Sequence, residues 1–211
     1  MVSFMLLPPR LVAAPDWDRL HIEFLRMGGK PQTFLSWQKL LKDNRELPVA
    51  DKLRLVNDFF NRNIRFSSDE EAWGQTDYWA TPMESLARAV GDCEDYVIAK
   101  YFALLHLDIP SEKLRLIYVK AMTAEPSGNV VQAHMVLAYY PAPDAEPLLM
   151  DNLVAGILPA SRRNDLLPVY SFNNQGIFTG VAATAALGRG GVGRLTRWQD
   201  LLQRAHNDGS D

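Results

Sequence analysis

The sequence predicts an α+β fold, a helix packed on an antiparallel sheet behind a helical N-terminal portion. Two observations predict it. Apolar residues recur at helical spacing through roughly the first ninety positions. From Leu114 onward the pattern changes to short β-rich runs separated by proline- and glycine-containing turns. The 211 residues suit one domain with a substantial core.

The elements follow in order. Asp16–Met27 reads as a helix closed by Gly28-Gly29. Gln32–Lys42 follows Pro31 and carries Phe34, Leu35, Trp37, Leu40 and Leu41. Pro48 opens a third helix with Leu53, Val56, Phe59 and Phe60 on one face. Ser67–Tyr78 is polar and reads as a loop. Thr81-Pro82-Met83-Glu84 matches a capping box with proline at the first helical position, starting a short helix that Gly91 should stop. Glu94–Leu107 is helical by the spacing of Val97, Ile98, Tyr101, Leu104 and Leu105. Leu114–Met122, Val130–Tyr140 and Leu148–Val154 read as a three-stranded meander, with a further strand over Val169–Phe172. Arg194–Ala205 is an amphipathic helix. Residues 16–206 are thus read as one domain and 207–211 as a frayed end. Val2–Leu7 is a short apolar run followed by Val12-Ala13-Ala14, with Arg10 after the run and not before it. Residues 1–15 are therefore a signal-peptide remnant or a disordered segment.

A net charge of −3 and a pI near 5.8 give no basic face for nucleic acid. No apolar run reaches the roughly 18 residues of a membrane span. Gly188–Arg194 lacks a Gly-Lys-Ser/Thr ending and a preceding strand, so it reads as a connector, not a phosphate loop. His21, His106 and His206 show no metal-ligand spacing.

The single cysteine excludes an internal disulfide. Cys93 follows Asp92, a good N-cap, and so sits in the first turn of a helix, where free N–H groups and the dipole favour a thiolate. Asp92, Glu94 and Asp95 work against that by raising the thiol pKa. Three acids in such a short span repel one another unless a cation binds, and hard oxygen ligands suit Ca²⁺. His134 and Asp151 lie on consecutive predicted strands. A hairpin centred on Asp144 sets His134 opposite Val154, with Asp151 three residues from opposition. A lone strand histidine is by default a core residue. Cysteine on a helix start followed by histidine and aspartate on neighbouring strands is, however, the layout of papain-like chemistry. Trp79 is the favoured side-chain oxyanion donor, with Tyr78 and Gln75 as alternatives.

At these residues the sequence resembles the bacterial transglutaminase-like cysteine peptidases. Gly91-Asp92-Cys93-Glu94-Asp95-Tyr96, Ala133-His134-Met135-Val136-Leu137 and Leu149-Met150-Asp151-Asn152-Leu153 carry the resemblance. Tyr170-Ser171-Phe172-Asn173 and Arg197-Trp198 extend it, so that it covers about Val49 to the C-terminus. The resemblance implies a transglutaminase-type core with Cys93, His134 and Asp151 as the catalytic triad. It implies calcium dependence at Asp92, Glu94 and Asp95. It implies a periplasmic location and cleavage of a large surface adhesin, in its N-terminal region after a pair of alanines, so that biofilm disperses. It also implies sequestration by an inner-membrane receptor that binds cyclic di-GMP. Other readings of the residues are a different acyl-transfer enzyme on the same scaffold, such as a transglutaminase or amidase, a catalytically dead binding module, and a non-catalytic calcium-binding interaction domain.

Overall fold

The computed structural model describes residues 15–126, 128–174, 176–179 and 196–210. The expectations for residues 1–14 and for the Gly188–Arg194 connector lie outside these residues.

Three helices open the fold: α1 (Trp17–Arg26), α2 (Pro31–Asp43) and α3 (Val49–Asn63). Asp16 caps α1 by accepting the Arg19 N–H at 3.1 Å. Their apolar stripes supply Leu20, Phe24, Phe34, Trp37, Leu53, Val56 and Phe60 to the core. The Ser67–Tyr78 stretch, expected to be a loop, contains a short helix. Strand β1 (Arg65–Phe66) leads into α4 (Asp69–Trp73). Ser68 caps α4, three acids fill its first turn, and Gly74 closes it in the left-handed conformation at φ 66°.

The capping box at Thr81 and Glu84 forms as expected and starts α5 (Pro82–Arg88). Gly91 does not stop that helix. Ala89 takes the left-handed conformation at φ 56°, and Val90–Gly91 becomes strand β2, parallel to β1. Gly91 is needed for space instead, because a Cβ there would lie 2.7 Å from the Asp95 Cβ.

Helix α6 (Cys93–His106) is apolar nearly all round and runs through the centre of the molecule. The strands follow: β3 (Leu114–Glu125), β4 (Gly128–Tyr139), β5 (Leu148–Met150), β6 (Leu158–Pro159), β7 (Leu166–Asn173) and β8 (Gly176–Thr179). They form one antiparallel sheet of order β6-β5-β4-β3-β7-β8. The expected meander is its centre. Alternation along β4 splits the core: Met135, Leu137 and Tyr139 join the large cluster with α6, while Val136, Ala138 and Tyr140 join a smaller one on the opposite face.

Helix α7 (Thr196–Asp208) packs Trp198 against Tyr101, Phe102 and Phe172. The expected fraying over 207–211 is corrected for Asn207–Ser210. The Asp208 carboxylate accepts the Thr81 hydroxyl at 2.6 Å, and Ser210 is buried with its N–H on the Ala205 carbonyl. These contacts outweigh terminal freedom.

Candidate active site

Asp92 caps α6. One of its oxygens accepts the Glu94 and Asp95 N–H groups at 3.0 and 3.3 Å. The Asp95 carboxylate answers with a contact to the Asp92 N–H at 3.3 Å, completing a second capping box. Cys93 is therefore the first helical residue, half-buried, with its sulfur 2.6 Å from a Glu94 carboxylate oxygen. Burial and the Glu94 and Asp92 charges push its thiol pKa far up, and the nearby Met135 main chain opposes them.

Strand β4 thus carries both halves of the site. Met135 belongs to the core cluster against which Cys93 packs. His134, one residue earlier and buried, places Nε2 2.8 Å from Asp151 Oδ1. Asp151 was expected mid-strand but lies just past the end of β5. The expected register was one residue out. Leu137 faces Met150, so the next step sets Asp151 opposite Val136, two residues from His134. An even offset puts both side chains on one face, which the odd offset of the expected register denied them.

Burial alone would raise the Asp151 pKa. The His134 contact, the Leu153 N–H at 3.0 Å and the Arg163 guanidinium bring it down to about 2. Its main-chain carbonyl accepts the Asn61 amide at 2.9 Å and the Lys100 ammonium at 3.2 Å. Lys100 is fully buried, and desolvation lowers its pKa to about 7.

The acids around the thiol fall into two groups whose candidate ligand atoms lie within 4.8 Å of one another. One is Asp92, Cys93 and Glu94; the other is Asp69, Asp92 and Asp95. Burial and mutual repulsion push Asp92 up to about 9. Burial pushes Asp95 up to about 7, against hydrogen bonds from the Ala80 N–H at 2.7 Å and the Trp73 indole at 3.4 Å. Asp69 Oδ2 accepts the Tyr78 N–H at 2.6 Å, while its buried Oδ1 has no partner among the described residues. Clustered carboxylates that hold protons so tightly, one with an orphaned oxygen, fit a hard cation.

Trp79 is buried, with its indole N–H unpartnered among the described residues. Its ring lies by Tyr118, whose hydroxyl donates to Glu94 at 3.3 Å. Tyr78 is committed elsewhere: its hydroxyl donates to Glu84 and accepts from Arg204, both at 2.9 Å. Gln75 is exposed.

Asp69, Lys100 and Arg163 escaped the sequence reading. Asp69 stands in a stretch taken as loop. Lys100 occupies an inner face of α6 that the apolar spacing alone defines. Arg163 lies in a polar turn like any surface arginine. The one available signal was that a buried Asp151 has two oxygens and a single histidine satisfies only one.

A cysteine at the start of a helix that packs on strand β4, with a buried histidine of that strand in contact with an aspartate just past β5, is the layout of the papain and transglutaminase class of architecture. The family description "bacterial transglutaminase-like cysteine proteinase" matches residues 38–165, and the chain belongs to that family. Among solved structures, Legionella pneumophila LapG is 36% identical, with 90% of this chain and 99% of that one covered at a TM-score of 0.73. Its EGTA-treated form is 36% identical over the same shares at 0.75. Its calcium-bound form is 35% identical over 89% and 98% at 0.74. No curated protein sequence matches the chain significantly. Among the described residues no helix is long and apolar enough to cross a membrane.

Proposed function

We propose that this proteinase is a calcium-dependent endopeptidase in which Cys93, His134 and Asp151 form the catalytic triad. The observation that carries this reading is the 2.8 Å contact of His134 Nε2 with Asp151, made from strand β4, whose next residue, Met135, belongs to the core cluster against which Cys93 packs. With Nε2 committed to Asp151, Nδ1 takes the thiol proton and later returns it to the leaving amine. The sulfur attacks the peptide carbonyl. The Glu94 and Asp95 N–H groups are occupied by Asp92. Oxyanion stabilisation therefore falls to the Cys93 N–H and the Trp79 indole, whose N–H has no partner among the described residues.

Asp92, Glu94 and Asp95, with Asp69 added to them, would hold the calcium. When bound, it supplies positive charge that offsets the carboxylates now raising the thiol pKa. A relative solved in a calcium-bound form supports calcium as the ion.

The family resemblance extends the reading to a periplasmic enzyme. It cuts a large surface adhesin after a pair of alanines in its N-terminal region and promotes biofilm dispersal. An inner-membrane cyclic-di-GMP receptor sequesters it. The test is incubation of an adhesin N-terminal fragment with the protein in calcium, with and without EGTA. One cut after the alanine pair, lost with EGTA and in Cys93→Ala, supports the proposal. Cleavage by Cys93→Ala at the unaltered rate sinks it.

A further inference from the structure

We propose that Arg163 is a positioning residue for the Asp151–His134 pair. The inference rests on the triad reading and adds a member to it. Asp151 is buried, and its Oδ1 is taken by His134 and the Leu153 N–H. Its Oδ2 faces an Arg163 guanidinium nitrogen at 2.7 Å, with that side chain only 2% exposed. Without Arg163, one oxygen of a buried carboxylate would stand bare, and the carboxylate would be free to rotate or to take up a proton.

The fold builds this contact deliberately far along the chain. After Asp151 the backbone leaves the sheet and returns as β6, which pairs with β5. A tight 3₁₀ turn over Ala160–Arg162 then brings Arg163 beneath Asp151, its N–H on the Ala160 carbonyl at 3.0 Å. Asp165 grips the adjoining edge of the guanidinium, on Nε at 2.9 Å and on the same terminal nitrogen that meets Asp151 at 2.7 Å. The Asp165 carbonyl in turn accepts the Met122 N–H of β3 at 2.8 Å. The guanidinium is thus fixed to the sheet before it meets Asp151. A planar, permanently charged fork can hold Asp165 and Asp151 together; a single ammonium cannot reproduce that geometry. The consequence is an Asp151 that stays anionic and correctly turned, so that His134 keeps Nδ1 free for the thiol.

The test is the rate at which iodoacetamide alkylates Cys93, the only cysteine, in calcium at neutral pH. This readout needs no substrate. Arg163→Gln should slow alkylation about tenfold or more, because small misplacement of a reacting group is costly. Arg163→Lys should recover part of the rate. In an Asp151→Asn background, Arg163→Gln should change the rate less than twofold, since the guanidinium acts through that carboxylate. An unchanged rate in Arg163→Gln overturns the proposal. So does an equal further loss in the Asp151→Asn background, which marks a general structural effect. If Arg163→Gln does not fold, Asp165→Asn decides, because Asp165 is 38% exposed and its loss frees the guanidinium without baring Asp151. A several-fold slower rate supports the proposal, and an unaltered one overturns it. If His134→Ala also alkylates at the unaltered rate, the triad reading itself has failed. If His134→Ala is slow and the Arg163 variants are not, only the role of Arg163 has.

Discussion

At the residue scale, the site sets charge against position. Cys93 takes the helix start that favours a thiolate, yet Glu94 and Asp92 raise its pKa. The conflict makes sense only if the carboxylates do not act as free charges. Asp69 supplies the sharpest check, because its Oδ1 is a buried carboxylate oxygen without a partner among the described residues. Asp69→Asn keeps an acceptor for the Tyr78 N–H and should weaken calcium affinity at least tenfold, read by calorimetric titration. Unchanged affinity would remove Asp69 from the proposed calcium site. Gly91 makes a steric prediction. A Cβ there meets the Asp95 Cβ at 2.7 Å and a carboxylate oxygen at 2.8 Å. Gly91→Ala should therefore destabilise by about 1–3 kcal/mol in denaturant unfolding.

At the element scale, α6 joins the thiol to the rest of the site. Its first residue is Cys93, and two turns later Lys100 reaches the Asp151 carbonyl. The folded state lowers the Lys100 pKa from 10.5 to about 7, so the unfolded chain binds more protons between those values. Stability from this group is present above 10.5 and is lost as pH falls through about 7. Lys100→Met should erase that slope when unfolding is compared across pH 7–10; an unaltered slope would refute the assignment. Most elements were legible because local rules acted alone: the Asp92 cap, the Thr81 capping box and the apolar spacing of α6 all formed where the sequence placed them. Helix α4 was not legible, because its polar composition hides a cap and a favourable dipole. The His134–Asp151 contact was legible as a pairing of strands but not in register. A hairpin loop's length leaves one residue undetermined, and one residue decides the face. Arg163 was illegible because only the returning chain of β6 brings it in.

At the scale of the whole molecule, the proposed calcium site would make stability depend on both the ion and pH. Burial and repulsion raise Asp92 to about 9 and Asp95 to about 7 from 3.8, so the folded state holds these protons more tightly than the unfolded one. Metal-free stability from these groups is greatest below about pH 4 and falls as pH rises through 7 and 9. Calcium competes with the same protons, so its stabilisation should grow with pH. At one hundred times its Kd, a ligand adds about 2.7 kcal/mol, a Tm rise of roughly 5–10 °C for a chain of this size. Melting curves in calcium and EGTA from pH 5 to 9 should diverge toward the alkaline end. Parallel curves would show that the carboxylates do not bind the ion.

The central claim is that Cys93 is a nucleophile activated by His134, and a lone cysteine makes it directly measurable. The rate of Cys93 alkylation is followed against pH in calcium, for the unaltered chain and for His134→Ala. The account predicts fast alkylation that persists well below the ordinary thiol range near 8.5 and collapses in His134→Ala. Two identical profiles, each rising only as a free thiol ionises, would contradict it.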